Sequence, residues 1–146
     1  MELTRRYGHG PWASTTSERG MLFAFRISRV FVARRGEKIL GTFRLMRKKP
    51  WAIDTRYFTP ADNPIYLFAM AVTPESQGKG IGRACLEEAE RLGRAWPADA
   101  IRLDAFDAEA GAGGFYARCG YTEVGRVSYR NTPLIYYELL LQGKTQ

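Results

Sequence analysis

The stretch IYLFAMAV, residues 65–72, carries no charge on either face. An uncharged run of this length, closed by Thr73 and Pro74, reads as a strand covered on both sides, which requires helices against the sheet. Proline ends it because it has no N–H to give to a ladder. After TPESQGKG, residues Ile81, Ala84, Cys85, Ala89 and Leu92 recur at helical spacing, and Arg83, Glu87, Glu90, Arg91 and Arg94 take the opposite face. Glu87 with Arg91, and Glu90 with Arg94, place the acid four residues ahead of the base, the favourable order on a helix. Pro97 stops the helix, and AIRLDAF, 100–106, alternates as a strand with Ile101, Leu103 and Ala105 on one side and Arg102 and Asp104 on the other. Strand, helix and strand in succession predict a parallel pair with a right-handed crossover.

The rest of the chain builds on this unit. From Val30, VFVARR, GEK and ILGTFRLM read as two strands joined by a tight turn at Gly36. AEAGAGGFYARCG reads as a short helix weakened by glycine, with Gly120 placed for its C-cap. YTEVGRVSY and PLIYYELLL, 121–129 and 133–141, are two further strand-like runs. Trp12, Met21, Leu22, Phe23 and Phe25 suggest one or two short helices within residues 1–28. A long connection, KKPWAIDTRYFTPADNP at 48–64, has no sustained period; such connections in small domains are often functional. Its aromatics Trp51, Tyr57 and Phe58 either wall a pocket or anchor the loop to the core. The element order predicts one α/β domain over residues 1–146, a mixed and mostly antiparallel sheet flanked by helices.

Composition narrows the function classes. Hydrophobic residues make up 45% and charged residues 25%, a balance that suits a globular fold rather than disorder. The longest uncharged apolar run is too short to span a bilayer, and MELTRRYGHG lacks the apolar stretch of a secretory signal, so no membrane partner is expected. Cys85 and Cys119 lie far apart without metal-ligand spacing, which predicts reduced thiols in a cytoplasmic protein and no metal site. A net charge of +7 attracts polyanions, whether nucleic acid or a phosphorylated cofactor. The basic residues are spread along the chain without a dominant block, so a generally basic surface is the favoured reading over nucleic-acid binding.

QGKGIG joins the buried strand to the helix start, where free N–H groups and the positive dipole end form an anion site. A Walker loop is excluded, because Gly80 stands where the magnesium-binding hydroxyl belongs after Lys79. A dinucleotide fingerprint is excluded too, because Arg83 stands where its third small residue belongs. The pattern that fits is Q-x-x-G-x-G, carried by Gln77, Gly80 and Gly82. In this setting it resembles the GNAT family of N-acetyltransferases, whose signature R/Q-x-x-G-x-G/A follows the fourth strand and opens a helix. FYARCGY matches a second family element, F/L-Y-x-x-x-G-F/Y, through Phe115, Tyr116, Gly120 and Tyr121. The resemblance is clearest over residues 30–141.

What the resemblance implies is an acyl-CoA N-acyltransferase-like fold and direct transfer of an acetyl group from acetyl-CoA to a primary amine. Backbone N–H groups of Gln77, Gly78, Lys79, Gly80, Ile81, Gly82 and Arg83 would hold the pyrophosphate. The strand end at Met70, Ala71 and Val72 would bond the pantetheine arm, and Phe115 counts among the cofactor-binding positions. The family's catalytic tyrosine maps onto Tyr116, which would protonate the leaving thiolate. The general base stays open. The 65–72 strand has no acid, which leaves Asp54, Asp104, Glu138, a water chain or His9, the single histidine. Glu109 stands where the family often has an asparagine. The 48–64 connection is longer than the family's usual one, and Trp51 and Asp54 are expected to face the amine acceptor. The oligomeric state stays open: the apolar last strand, 134–141, could pair at an edge, and members of the family are often dimers, so a homodimer is one outcome. Two other readings stay open: an acyl-CoA-binding module without catalysis, and a basic nucleic-acid-binding domain.

Overall fold

In the computed structural model, residues 2–5, 28–107 and 113–141 are described. They form strands β1 (Glu2–Arg5), β2 (Arg29–Arg35), β3 (Lys38–Met46), β4 (Pro64–Val72), β5 (Ala100–Phe106), β6 (Thr122–Tyr129) and β7 (Thr132–Leu140), with helices α1 (Ile81–Ala95) and α2 (Gly113–Arg118). The sheet order is β1-β2-β3-β4-β5-β7-β6. The β4–β5 pair is parallel, and the β1–β2, β2–β3, β5–β7 and β6–β7 pairs are antiparallel, the mixed sheet expected from the sequence. The helices expected within residues 1–28 fall almost wholly outside the described residues; Glu2–Arg5 is a strand that sequence pattern did not mark.

The chain divides into two compact units, Met1–Arg47 with Leu67–Ala89, and Lys48–Tyr66 with Glu90–Gln146. In the first, β2 and β3 turn at Gly36, whose φ of +60° suits glycine. Phe31 and Phe43 are cross-strand partners and stack with ring centroids 5.2 Å apart, beside fully buried Val32 and Leu45. β3 passes so close to β4 that a Cβ on Gly41 would lie 3.0 Å from the Ala71 carbonyl oxygen.

β4 corrects one expectation. Its first half, Ile65, Tyr66 and Leu67, is buried, but Ala69 and Ala71 are exposed. The cause is backbone: Ala69 has φ +56°, a left-handed conformation that interrupts the pleat. A non-glycine residue there is strained by about 1–2 kcal/mol.

In the second unit, β4 and β5 pair through Pro64 with Ala100, Ile65 with Ile101, and Tyr66 with Arg102. Gly93 on α1 faces Leu141 and Ile65 so closely that a Cβ would sit 3.0 and 3.1 Å from their side-chain carbons. β7 is hydrogen-bonded on both sides, to β5 and to β6, so the expectation of a free edge at 134–141 is corrected; β6 is the outer strand. The apolar run in β7 reflects burial between two partners. β6 and β7 turn through Arg130 and Asn131 at φ +51° and +68°, the pattern of a two-residue type I′ hairpin.

Candidate active site

The glycine loop lies in the first unit. A 3-10 turn over Pro74–Ser76 follows β4. The Thr73 N–H donates to the Leu40 carbonyl at 2.9 Å, and Gln77 Nε2 donates to the Val72 carbonyl at 3.1 Å. The motif's glutamine therefore braces the loop against the end of β4. Gly78 and Gly80 have φ +77° and +83°, which a side chain rarely tolerates. The Ala84 N–H donates to the Gly80 carbonyl at 3.0 Å, and the N–H groups of Ile81 and Gly82 come before the first i to i−4 bond of the helix. Residues 77–80 are exposed, while the Ile81 side chain is buried and anchors the turn. The result is an exposed, glycine-shaped turn at the positive end of α1. Met70 and Val72 are half-buried and Ala71 exposed, with Ala69 as the bend beside them.

Tyr116 lies in the second unit, on α2. Gly120, at φ +97°, ends this helix as its expected C-cap, with its N–H bonded to the Ala117 carbonyl at 3.1 Å. The Tyr116 ring is buried among Phe115, Tyr121 and Tyr137, at centroid distances of 5.5, 5.9 and 5.8 Å. Burial, with smaller contributions from Asp104 and Cys119, pushes its phenol up to about 12. The hydroxyl keeps its proton throughout the neutral range. Cys85 is buried and its thiol is pushed up to about 11, which leaves it unreactive. Glu109 lies outside the described residues.

The 48–64 connection is fastened by Phe58, one of its aromatics, and by Ile53, Arg102, Tyr136 and Glu138, whose part in holding it no sequence pattern marks. Ile53 and Phe58 join Tyr66 and Tyr136 in a buried cluster. The Tyr136 hydroxyl donates to the Ala52 carbonyl at 2.5 Å and accepts the Asp54 N–H at 3.1 Å. Thr59 is held at both ends: its N–H and Oγ1 donate to Glu138 at 3.0 and 2.5 Å, and its carbonyl accepts from Arg102 at 2.8 Å. Arg102 also donates to the Tyr66 hydroxyl at 3.0 Å and lies 5.2 Å from the centroid of the Phe58 ring. Arg102 and Glu138 are cross-strand partners and only 4% and 5% exposed. Strand alternation had placed Arg102 on a polar face; that face is covered by this connection instead. No periodic signal marks such a contact.

Both readings of the loop aromatics hold, for different residues. Phe58 anchors. Trp51 and Tyr57 line a cavity of about 390 Å3, together with Asp54, Val127, Tyr129 and Tyr136. Tyr57 packs edge-on to Tyr136 and against Gly125, where a Cβ would come within 2.4 Å of its ring. The Asp54 carboxylate does not face the cavity as a free acid: it caps the Thr55–Tyr57 turn through the Arg56 N–H and pairs with the Arg56 guanidinium at 2.7 Å. These hydrogen bonds hold its pKa down at about 2.

Of the candidate bases, Asp54 is thus bound to Arg56 and Glu138 to Thr59. Asp104 is half-buried, and among the described residues its carboxylate takes no hydrogen bond; burial raises its pKa. It is the cross-strand partner of Tyr136, so it shares the face of the aromatic cavity, whereas neighbouring Leu103 pairs with Tyr137 on the face where Tyr116 packs. His9 lies outside the described residues.

A glycine-shaped loop between strand and helix, in a mixed sheet of this order, fits the acyl-CoA N-acyltransferase fold. The family model for the GNAT acetyltransferases matches residues 1–121, and the chain belongs to that family. The fold is shared with an acetyltransferase of Bacillus subtilis in complex with CoA (TM-score 0.71, 13% identity, 96% of this chain and 98% of that one). It is shared equally with an IAA acetyltransferase of Bacillus cereus (TM-score 0.70, 16% identity, 96% and 99%). A third neighbour is smu.2055 of Streptococcus mutans (TM-score 0.73, 16% identity, 97% and 100%). No curated protein matches by sequence.

Proposed function

We propose that this chain is an N-acetyltransferase that moves an acetyl group from acetyl-CoA to a primary amine by direct transfer, with residues 1–146 acting as one catalytic domain. The observation that carries the reading is the pair of left-handed glycines, Gly78 and Gly80, in an exposed turn that opens α1. The loop fits a pyrophosphate: it has donors, no side chain in the way, and exposed Lys79 for charge. The exposed strand end at Ala69 and Ala71 supports backbone contacts from Met70, Ala71 and Val72 to an extended ligand arm. Phe115, packed on Tyr116, is assigned to the same cofactor. The CoA bound in the Bacillus subtilis neighbour supports this cofactor.

Acetyl-CoA, when bound, supplies an activated carbonyl and a thiolate leaving group. Tyr116 donates a hydrogen bond to that thiolate. Burial keeps the phenol protonated and raises the basicity of a thiolate beside it as well, so the phenol can pass its proton to the departing sulfur and regain one from solvent. Asp104 is the base that takes the amine proton, and its raised pKa brings it closer to the working pH. The Asp104 charge contributes to the raised pKa of the Tyr116 phenol, so the two groups sense each other electrostatically. Trp51 and Asp54, in the cavity on the Asp104 face, belong to the acceptor site. Among the described residues no helix is long and apolar enough to cross a membrane, and a cytoplasmic site of action is part of the proposal.

The test is thiol release from acetyl-CoA against a library of amines. Release with one acceptor class is expected. Tyr116→Phe should lower kcat by roughly 10²–10⁴ with CoA affinity retained. Asp104→Asn should lower kcat similarly and remove the acidic limb of the pH profile. Near-normal turnover in Tyr116→Phe removes that residue from the mechanism, and CoA binding without release for any amine leaves a binding module.

A further inference from the structure

The aromatic cavity of the second unit has walls that attract flat or apolar groups; among the described residues its one charged lining residue is Asp54, and three cations, Lys49, Arg56 and Arg130, lie close to lining residues in the chain. Its volume of about 390 Å3 falls within the range of small-molecule pockets, roughly 300–1,000 Å3. Trp51 stands at its wall with 86% of its surface exposed, and Tyr57 is 45% exposed. Large aromatics left open beside a cavity mark a binding surface. The one carboxylate in the wall, Asp54, is already held by Arg56 at 2.7 Å, and Lys49 adds positive potential to it. An incoming ammonium finds no unpaired acid there.

Arg130 supplies the complementary feature. Its guanidinium lies 5.3 Å from the centroid of the Tyr129 ring, and Tyr129 lines the cavity. Among the described residues no carboxylate pairs with it, and it is exposed. Its backbone sits at φ +51°, where a side chain other than Asn, Asp or Gly is strained, while Asn131 beside it suits the turn. Arg130 is not itself a lining residue, but stacked on the Tyr129 ring at the cavity's edge it has its planar fork of donors unpaired by any described carboxylate. Bidentate recognition of a carboxylate is the chemistry that fork performs best.

We propose that this cavity binds an amine carrying one carboxylate on an aromatic or apolar body, with the carboxylate at Arg130 and the body between Trp51 and Tyr57. Amines with several positive charges are excluded by the same residues: Lys49, Arg56 and Arg130 repel them, and Asp54 is engaged. This deepens the acetyltransferase reading, on which it rests for the acceptor's role, by naming the acceptor's chemistry.

The experiment is calorimetric titration of the full chain, without cofactor, using phenylalanine, phenylalaninamide and spermidine as probes. Phenylalanine should bind about tenfold tighter than its amide, and spermidine should not bind. Arg130→Ala should abolish the preference for acid over amide while leaving the circular dichroism spectrum unchanged, and Trp51→Ala should weaken both ligands equally. Equal binding of acid and amide, tighter binding of spermidine, no binding of any probe, or a preference that survives Arg130→Ala overturns the proposal. Because no acetyl-CoA is present, failure here leaves thiol release unaffected, and absence of thiol release leaves the binding preference standing.

Discussion

The connection ahead of β4 and the connection after it are held in shape by different means. The first is fastened by side chains from far along the sequence. Thr59 is bonded to Glu138, 79 positions away, and the Ala52 carbonyl to Tyr136, 84 positions away. The second is shaped locally: Gly78 and Gly80 take left-handed conformations, and Gln77 reaches back five residues to Val72. A backbone-shaped loop tolerates changes in its side chains but not in its glycines. A side-chain-fastened loop is vulnerable at residues outside itself. The difference also bears on function, since one loop presents N–H groups and the other presents aromatic faces.

The largest effect should come from the fastening of the first loop. Glu138→Ala removes the carboxylate that accepts two Thr59 bonds, and Thr59 in turn holds Arg102 through its carbonyl. A loss of about 2–5 kcal/mol in denaturant unfolding is expected, with faster proteolysis near residue 59. A loss below about 1 kcal/mol breaks the comparison. Next, Gly125→Ala should cost about 1–3 kcal/mol, because the new Cβ would meet the Tyr57 ring at 2.4 Å. Gly125→Ala combined with Tyr57→Ala should recover much of that loss.

The second loop should respond at its glycines. Gly80→Ala, at φ +83°, should destabilise by about 1–2 kcal/mol and weaken CoA binding, measured by thermal unfolding with and without CoA. Lys79→Ala should weaken CoA binding less. If the lysine matters more than the glycine, the backbone account of this loop is wrong.

The smallest effect is electrostatic. Arg56 holds the Asp54 carboxyl at about 2, so Arg56→Ala should return it toward ~3.9, read by NMR titration. A depressed carboxyl pKa adds stability that is present above the unfolded value and lost as pH falls through about 2. Wild type and variant should therefore differ at neutral pH and converge in strong acid.

Much of the first unit's loop was readable because its chemistry is carried by residue types with fixed meanings. Glycine at two alternate positions after a β-strand implies left-handed backbone, and the alternation and helical spacing of 65–106 imply a parallel crossover. The spacing that picked out Tyr116 also placed Gly120 at φ +97° as a helix cap. Ala69 was not readable, because nothing in an alanine announces a positive φ. Arg102 looked like a solvent-facing strand residue, since alternation reports a strand's two faces but not what covers them.

The sequence alone determined the order and type of the strands and helices from residue 29 onward, the glycine loop at the start of α1, and membership of an acetyltransferase family; these rest on local backbone preferences, short-range periodicity and motif spacing. Tertiary structure decided which carboxylates are engaged, that β7 is an interior strand, and that Trp51, Tyr57, Tyr129 and Tyr136 share one cavity. Those facts depend on contacts between residues about eighty positions apart, and a contact of that kind leaves no period in the chain.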